Sequence, residues 1–180
     1  MKVSKFPYNP GPAAWNCILP PGPKLPKLEE NHKADWLIIG AGFAGLSAAR
    51  RLQIARPSDR IIVLEATALA EGPSGRNSGF MIDLPHDLTG SNYSGKLEKD
   101  RLTIARNRMA INFARETVAE LNLPHEAFKE IGKINGAAGE KGLRRNFKYA
   151  QHLTKLGEEH HNYDAKTMKN ITGINYYKGG

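Results

Sequence analysis

An α/β fold built on a parallel sheet is predicted by three features of the sequence. Two short apolar runs, "DWLIIG" (35–40) and "RIIVLEA" (60–66), each have the length and bounding residues of a strand, and the first reads as a buried one. Between them lies "AGLSAARRLQIARP", in which Leu46, Ala49, Leu52 and Ile54 fall mainly on one helical face and arginines occupy the other. Three glycines in "GAGFAG" join the first run to that helix.

The elements follow in chain order. Seven of the eleven prolines lie between Pro7 and Pro26. Missing N–H donors and fixed φ prevent regular structure there, so residues 1–33 are expected to form an extended arm and residues 34–180 the domain. The arm either wraps the domain through Trp15, Ile18 and Leu19 or forms a mobile leader. Pro57 ends the first helix, and "RIIVLEA" is the second strand.

Residues 66–96, rich in Gly, Ser, Pro and Asn, read as an irregular loop. Ordered loops of that length are uncommon unless they are functional, which makes this one a site candidate. From Leu97 to Leu123 the pattern Leu102, Ala105, Met109, Phe113, Val118, Leu121 predicts a long amphipathic helix stopping at Pro124. "FKEIGKINGAA" (128–138) leans towards a strand with a glycine turn. "EKGLRRNFKYAQHLTKLG" is helical through Leu143, Phe147, Ala150 and Leu153, and a short helix covers Ala165 to Asn170. The chain closes on "GINYYKGG", an aromatic run for which the sequence offers no partner segment.

Length and composition bound the function. A chain of 180 residues with 40% hydrophobic and 24% charged residues is sized and composed for one globular domain. The longest nearly uncharged apolar run, Trp36 to Ala49, has fourteen residues. That is short of the roughly 20 needed to span a bilayer, so no transmembrane segment is expected. The N-terminus lacks a secretory pattern, which leaves a cytoplasmic address. The net charge of +8 is spread along the chain with both signs interleaved, and no evenly spaced aromatics accompany it. Nucleic-acid binding is therefore not expected.

The single cysteine, Cys17, cannot form an internal disulfide and has no activating base or helix N-terminus in view. Redox chemistry in this protein would belong to a cofactor. His160 and His161 in "GEEHHNYD" match no metal-ligand spacing and read as a solvated loop, so no metal is expected.

Gly40, Gly42 and Gly45 stand in G-x-G-x-x-G spacing between two strands, which is the context the bare pattern lacks. The first allows a tight turn, the second lets the backbone approach a pyrophosphate, and the third lets helix and strand pack closely. N–H groups at the helix N-terminus, unsatisfied within the helix and partly positive, would face the phosphates. Glu65 follows Gly45 by twenty residues, at the end of the second strand. A carboxylate there accepts both ribose hydroxyls of an adenosine and disfavours a 2′-phosphate. The pattern predicts an adenine dinucleotide as ligand.

A second informative stretch, "EGPSGRNSGF" (71–80), reads either as an ordinary surface turn or as a loop that brings Arg76 beside Asn77 and Ser78 to a phosphorylated ligand. Taken together, "DWLIIGAGFAGLSAARRL", "VLEA" and "GPSGRNSGF" resemble the N-terminal FAD-binding portion of the D-amino-acid oxidase-like superfamily. Nearest in pattern are the glycine, D-amino-acid and polyamine-type oxidases, and the likeness extends to "IGKINGAA", "EKGLRRN" and "YYKGG". It implies a Rossmann-like FAD-binding domain, partial, with a parallel sheet and flanking helices. Members oxidise a C–N bond of an amine or amino acid by passing hydride to flavin, giving an imine that hydrolyses.

Carried onto this chain, the resemblance assigns Gly40, Gly42, Phe43, Ala44 and Gly45 to the phosphate turn. It assigns Glu65 and Ala66 to the adenosine ribose. Arg76, Asn77, Ser78 and Gly79 would approach the pyrophosphate, ribityl and ring region. Some relatives carry a histidine near the place of Asn77 that bonds covalently to flavin; this chain has none there, so non-covalent FAD is expected. His86 is the nearest histidine and reads more readily as a turn residue.

Members of the superfamily are roughly twice this length or more, with a substrate domain and a returning segment of the flavin domain. Two readable parallel strands leave sheet edges and apolar faces uncovered. The expectation is an incomplete FAD-binding domain completed by a second polypeptide or a missing C-terminal part, in which no catalytic residue can be named. Two other readings stay open: a non-catalytic dinucleotide-binding subunit that needs a partner, and an NAD-dependent dehydrogenase, against which the "SGRNSG" loop argues.

Overall fold

A computed structural model of the protein describes residues 11–22, 24–85 and 97–180. His86 lies outside the described residues, as do the first ten residues of the arm. The chain divides into two compact units, the first ending at Phe80 and the second beginning at Met81.

In the first unit the strand–helix–strand reading holds. Strand β1 (Trp36–Ile39) and strand β2 (Ile61–Leu64) pair in parallel, with Trp36 opposite Ile61 and Ile39 opposite Leu64. The ladder is prolonged at both ends: Asp35 N–H donates to Arg60 C=O at 3.0 Å, and Gly40 N–H donates to Leu64 C=O at 2.7 Å.

Two expectations for this unit need correction. The arm is not wholly extended, because Ala14–Ile18 forms one helical turn, α1. Those five residues contain no proline, so the N–H donors that the flanking stretches lack are present. Nor is β1 buried: Leu37 is 58% and Ile39 83% exposed. Helix α2 (Phe43–Ala55) packs against the two strands, but a two-stranded sheet covered by one helix leaves its other face open. Among the described residues of this unit the buried hydrophobic side chains are those of Ala13 and Ala41.

The second unit is helical and carries a core. Helix α3 spans Leu97–Glu120, α4 spans Glu140–Leu156 and α5 spans Ala165–Thr172. Ile104 of α3 packs with Tyr149, Leu153 and Leu156 of α4, with Leu84 and Leu97 against the cluster. Beside it His152, 3% exposed, lies 2.8 Å from the Asp100 carboxylate and ties α4 to α3. Arg108 adds a fork to Glu158 and a bond to Asp83 Oδ2 at 2.9 Å. These opposing charges hold its guanidinium above the usual arginine range. Gly157 and Gly173 end α4 and α5 in the left-handed conformation, at φ 80° and 76°.

The stripes that face this core differ from the predicted ones. On α3 Ile104 is buried and Leu97, Asp100, Asn107, Ile111 and Ala114 are half-buried; of the predicted stripe Phe113 and Val118 are half-buried too, while Leu102, Ala105 and Met109 are exposed. On α4 Phe147 is exposed, and Tyr149 and Leu156 are buried with Ala150 and Leu153. Residues 128–136 form no strand; only Ala137 makes an isolated antiparallel bridge, to Gly179. That bridge also supplies the closing run with partners. Lys178 N–H donates to Ala137 C=O at 2.8 Å, and Gly180 exchanges two bonds with Tyr163.

Candidate cofactor-binding site

The glycine turn is shaped by steric necessity. Gly40 adopts φ 97°, a region side chains avoid, as the chain leaves β1. A Cβ on Gly45 would sit 1.9 Å from Gly40 C=O, so the first turn of α2 lies directly on the end of β1. Gly42 is the N-cap of α2 and provides no side-chain cap. The first intrahelical bond is Leu46 N–H to Gly42 C=O at 3.0 Å. The N–H groups of Ala44 and Gly45 therefore point from a helix N-terminus with no carbonyl one turn earlier to receive them, the arrangement that receives phosphate.

Glu65 reaches back to this turn. Its Oε2 accepts the Ala41 N–H at 2.9 Å, and its Oε1 accepts the Thr67 N–H and hydroxyl, each at 3.2 Å. Hydrogen bonding by the Ala41 amide, and then by Thr67, holds the carboxyl below the usual glutamate range, so it is ionised at neutral pH. The acid at the end of β2 and the glycines at the end of β1 thus form one locus. Ala66, beside it, is exposed.

The 71–80 stretch contributes a residue that sequence reasoning passed over. Ser74, in the 3-10 turn Pro73–Gly75, accepts the Phe43 N–H through its hydroxyl at 3.0 Å. A Cβ on Gly42 would lie 2.7 Å from that oxygen, so the loop rests on the glycine turn through Ser74. The available signal was a serine in a glycine-rich loop that follows β2, but nothing local told it from Ser78, which is exposed.

Arg76 and Asn77 are engaged nearer to hand. Arg76 Nε donates to Glu71 C=O at 2.9 Å, its Nη2 lies 3.2 Å from Glu71 Oε2, and Nη2 also donates to Gly11 C=O. The Asn77 side chain donates to Ser74 C=O and accepts the Gly79 N–H at 2.7 Å, a turn of the Asx kind. Gly79 sits at φ 79°. The structure thus gathers Gly40, Gly42, Phe43, Ala44, Gly45 and Glu65 at the turn, and makes Arg76, Asn77 and Gly79 the frame of the adjoining loop.

The family described as FAD dependent oxidoreductase (DAO) matches residues 35–180, most of the chain. The chain belongs to the DAO family. FAD, named by the resemblance, is accordingly the dinucleotide on which this family depends. A 73-residue stretch is 37% identical to "Probable oxidoreductase OrdL" of Rhizobium meliloti (strain 1021), covering 41% of this chain and 17% of that protein. A protein of the same name from Haemophilus influenzae is 43% identical over 60 residues, 33% of this chain and 14% of its own. "Gamma-glutamylputrescine oxidoreductase" of Escherichia coli (strain K12) is 38% identical over 56 residues, 31% of this chain and 13% of that protein. The matched segments span less than a fifth of each relative.

The DAO glycine turn fits the group the family requires. Gly45 leaves no room for a side chain where helix meets strand, and a side chain on Gly42 would collide with the Ser74 hydroxyl that sits on the turn. The ionised Glu65 supplies an acceptor one strand away. Among the described residues no group of three or more His, Cys, Asp or Glu could hold a metal. Nor is any described helix long and apolar enough to cross a membrane.

Proposed function

We propose that this chain holds FAD, non-covalently, for an oxidoreductase that oxidises the C–N bond of an amine or amino acid. The observation that carries the reading is the single locus formed by the N-terminus of α2, whose N-cap is the glycine Gly42, and the Glu65 carboxylate. Gly40, Gly42, Phe43, Ala44 and Gly45 would line the pyrophosphate, and Glu65 with Ala66 the adenosine ribose. Arg76, Asn77, Ser78 and Gly79 would form the loop towards the ribityl and ring. Bound FAD would supply the electron acceptor; this chain's residues bind and orient it. The amine class is supported by the printed name of the Escherichia coli relative.

In the same reading residues 1–33 are an arm and residues 34–180 the N-terminal portion of the FAD-binding domain, in a cytoplasmic protein. The rest of that domain and the substrate-handling residues would come from a second polypeptide or from a missing C-terminal part. Support comes from β1, a strand of a parallel sheet whose Leu37 and Ile39 face solvent, where such sheets are covered on both faces.

Native intact mass and the absorbance spectrum of the native assembly test this together. The expected result is a particle heavier than 19.8 kDa, with flavin bands near ~375 and ~450 nm. Acid precipitation should release the yellow colour to the supernatant. A colourless assembly would instead favour a non-catalytic subunit, and colour kept in the pellet would overturn the non-covalent assignment.

A further inference from the structure

The α1 segment and the loop after β2 are joined by a set of hydrogen bonds. Ala13 N–H donates to Glu71 Oε2 at 2.8 Å, and the Asn16 amide donates to Glu71 Oε1 at 2.6 Å and to Leu69 C=O at 3.0 Å. Trp15 Nε1 donates to Asn77 C=O at 2.8 Å, and its ring lies where a Cβ on Gly79 would be 3.0 Å away. Arg76 closes the set by binding both Glu71 and the Gly11 carbonyl.

These bonds bracket a strained point. Ala70 has φ 59°, a conformation uncommon for a residue with a side chain, and such residues persist where their surroundings over-determine them. Asn16 and Ala13 bind its two neighbours, Leu69 and Glu71. On the loop's inner side a Cβ on Gly75 would meet Ala70 C=O at 1.6 Å, so the bend is closed backbone against backbone. The next residue back, Ser74, is the one that touches Phe43 at the N-terminus of α2.

We propose that Glu71 is a positioning residue of the cofactor site: with Asn16 it straps the α1 turn across residues 69–79 and so fixes how that loop meets the glycine turn. The inference rests on the FAD reading above. Glu71 itself touches neither the glycine turn nor Glu65; it acts through the bend at Ala70 and through Ser74. The α1 turn is thereby a working part of the site.

The test uses the full 180-residue chain as wild type, Asn16→Ala, Glu71→Gln, and Lys27→Ala, an exposed arm control. Amide hydrogen exchange in the absence of FAD reports whether the loop is strapped. Titration of FAD, followed by flavin fluorescence and by the shape of the visible bands, reports whether the strap positions the site. Asn16→Ala and Glu71→Gln should speed exchange across 69–79 while leaving β2 and α2 protected. They should weaken FAD binding about tenfold, the loss of roughly one net hydrogen bond to a charged group, and alter the band shape; Lys27→Ala should do neither.

Unchanged exchange in both variants overturns the strap. Faster exchange with FAD bound as tightly and with the same spectrum as in wild type overturns the positioning role. If the wild type binds no FAD either alone or in its native assembly, the cofactor reading fails by itself, and the exchange data still decide whether the arm holds the loop.

Discussion

The two units of this chain are held by different physics. In the second, Ile104, Tyr149, Leu153 and Leu156 exclude water, and the buried His152 is met by Asp100. In the first, Ala13 and Ala41 are the buried apolar side chains among those described. Order there comes from glycine contacts and from carboxylates, Glu65 on the turn and Glu71 on the arm. The unit with the core has none of the proposed cofactor ligands, and the unit with the ligands has almost no core. Hydrophobic burial is the main driving force for folding, so the first unit draws little stability from apolar burial of its own.

The sharpest way to break this contrast is to remove the same kind of group from each unit. Leu153→Ala empties part of a closed cluster and should cost about 2–5 kcal/mol. Ile39→Ala, on a strand residue 83% exposed, should stay within about 0.5 kcal/mol. Urea unfolding followed by circular dichroism on the chain alone measures both. A loss for Ile39→Ala as large as that for Leu153→Ala would mean that β1 is covered in solution, by another copy or by a different packing.

A second substitution asks whether the first unit really depends on close backbone contact. Gly45→Ala places a methyl 1.9 Å from Gly40 C=O, where no side-chain rotation relieves the clash. Overpacking of that kind costs about 1–3 kcal/mol, and FAD binding should fall with it. Gly139→Ala is the comparison in the second unit: at φ −157° and with nothing within 4 Å, it should leave FAD binding unchanged and cost at most about 1 kcal/mol, the advantage of glycine over alanine at a helix N-cap. Equal effects of the two would remove the argument that helix and strand need a bare residue at position 45.

How much of this was legible from sequence follows from the range of each cause. The β1–α2–β2 unit and the glycine turn were readable because apolar runs, helical period and glycine spacing are local. The buried face of α3 was not. Leu102 and Met109 fit a helical stripe as well as Ile104 and Ile111 do, and the packing of Ile104 on Tyr149 and Leu153 of α4 selects between them. The bridge from Ala137 to Gly179 spans more than forty residues and leaves no trace in either segment's pattern. Arg76 was read for its chemistry, which suits a phosphate. That reading could not weigh Glu71, five residues earlier, as its partner, nor foresee that Glu71 also binds the arm.

Acidification should separate the two units by the smallest effect of the three. The Glu71 carboxyl is held below the ordinary glutamate value of 4.5, first by the Asn16 amide, then by the Ala13 N–H, with the Arg76 charge assisting. Glu65 is held low by the Ala41 N–H and then by Thr67. Because each folded-state value lies below its unfolded one, the stabilisation is present above about pH 4.5 and is lost as the pH falls through the folded values. Glu65 is exposed and the Glu71 side chain half-buried, so the loss is a loosening of arm and turn; the apolar cluster of the second unit contains neither group. With Trp36→Phe as background, Trp15 reports the arm alone, and its fluorescence should change as the pH drops below about 4.5. Adding Glu71→Gln should bring that change to neutral pH and flatten the profile, since the group that titrates is gone. A Trp15 transition that survives Glu71→Gln at the same pH would show that another group fastens the arm, and would return the contrast between the two units to packing alone.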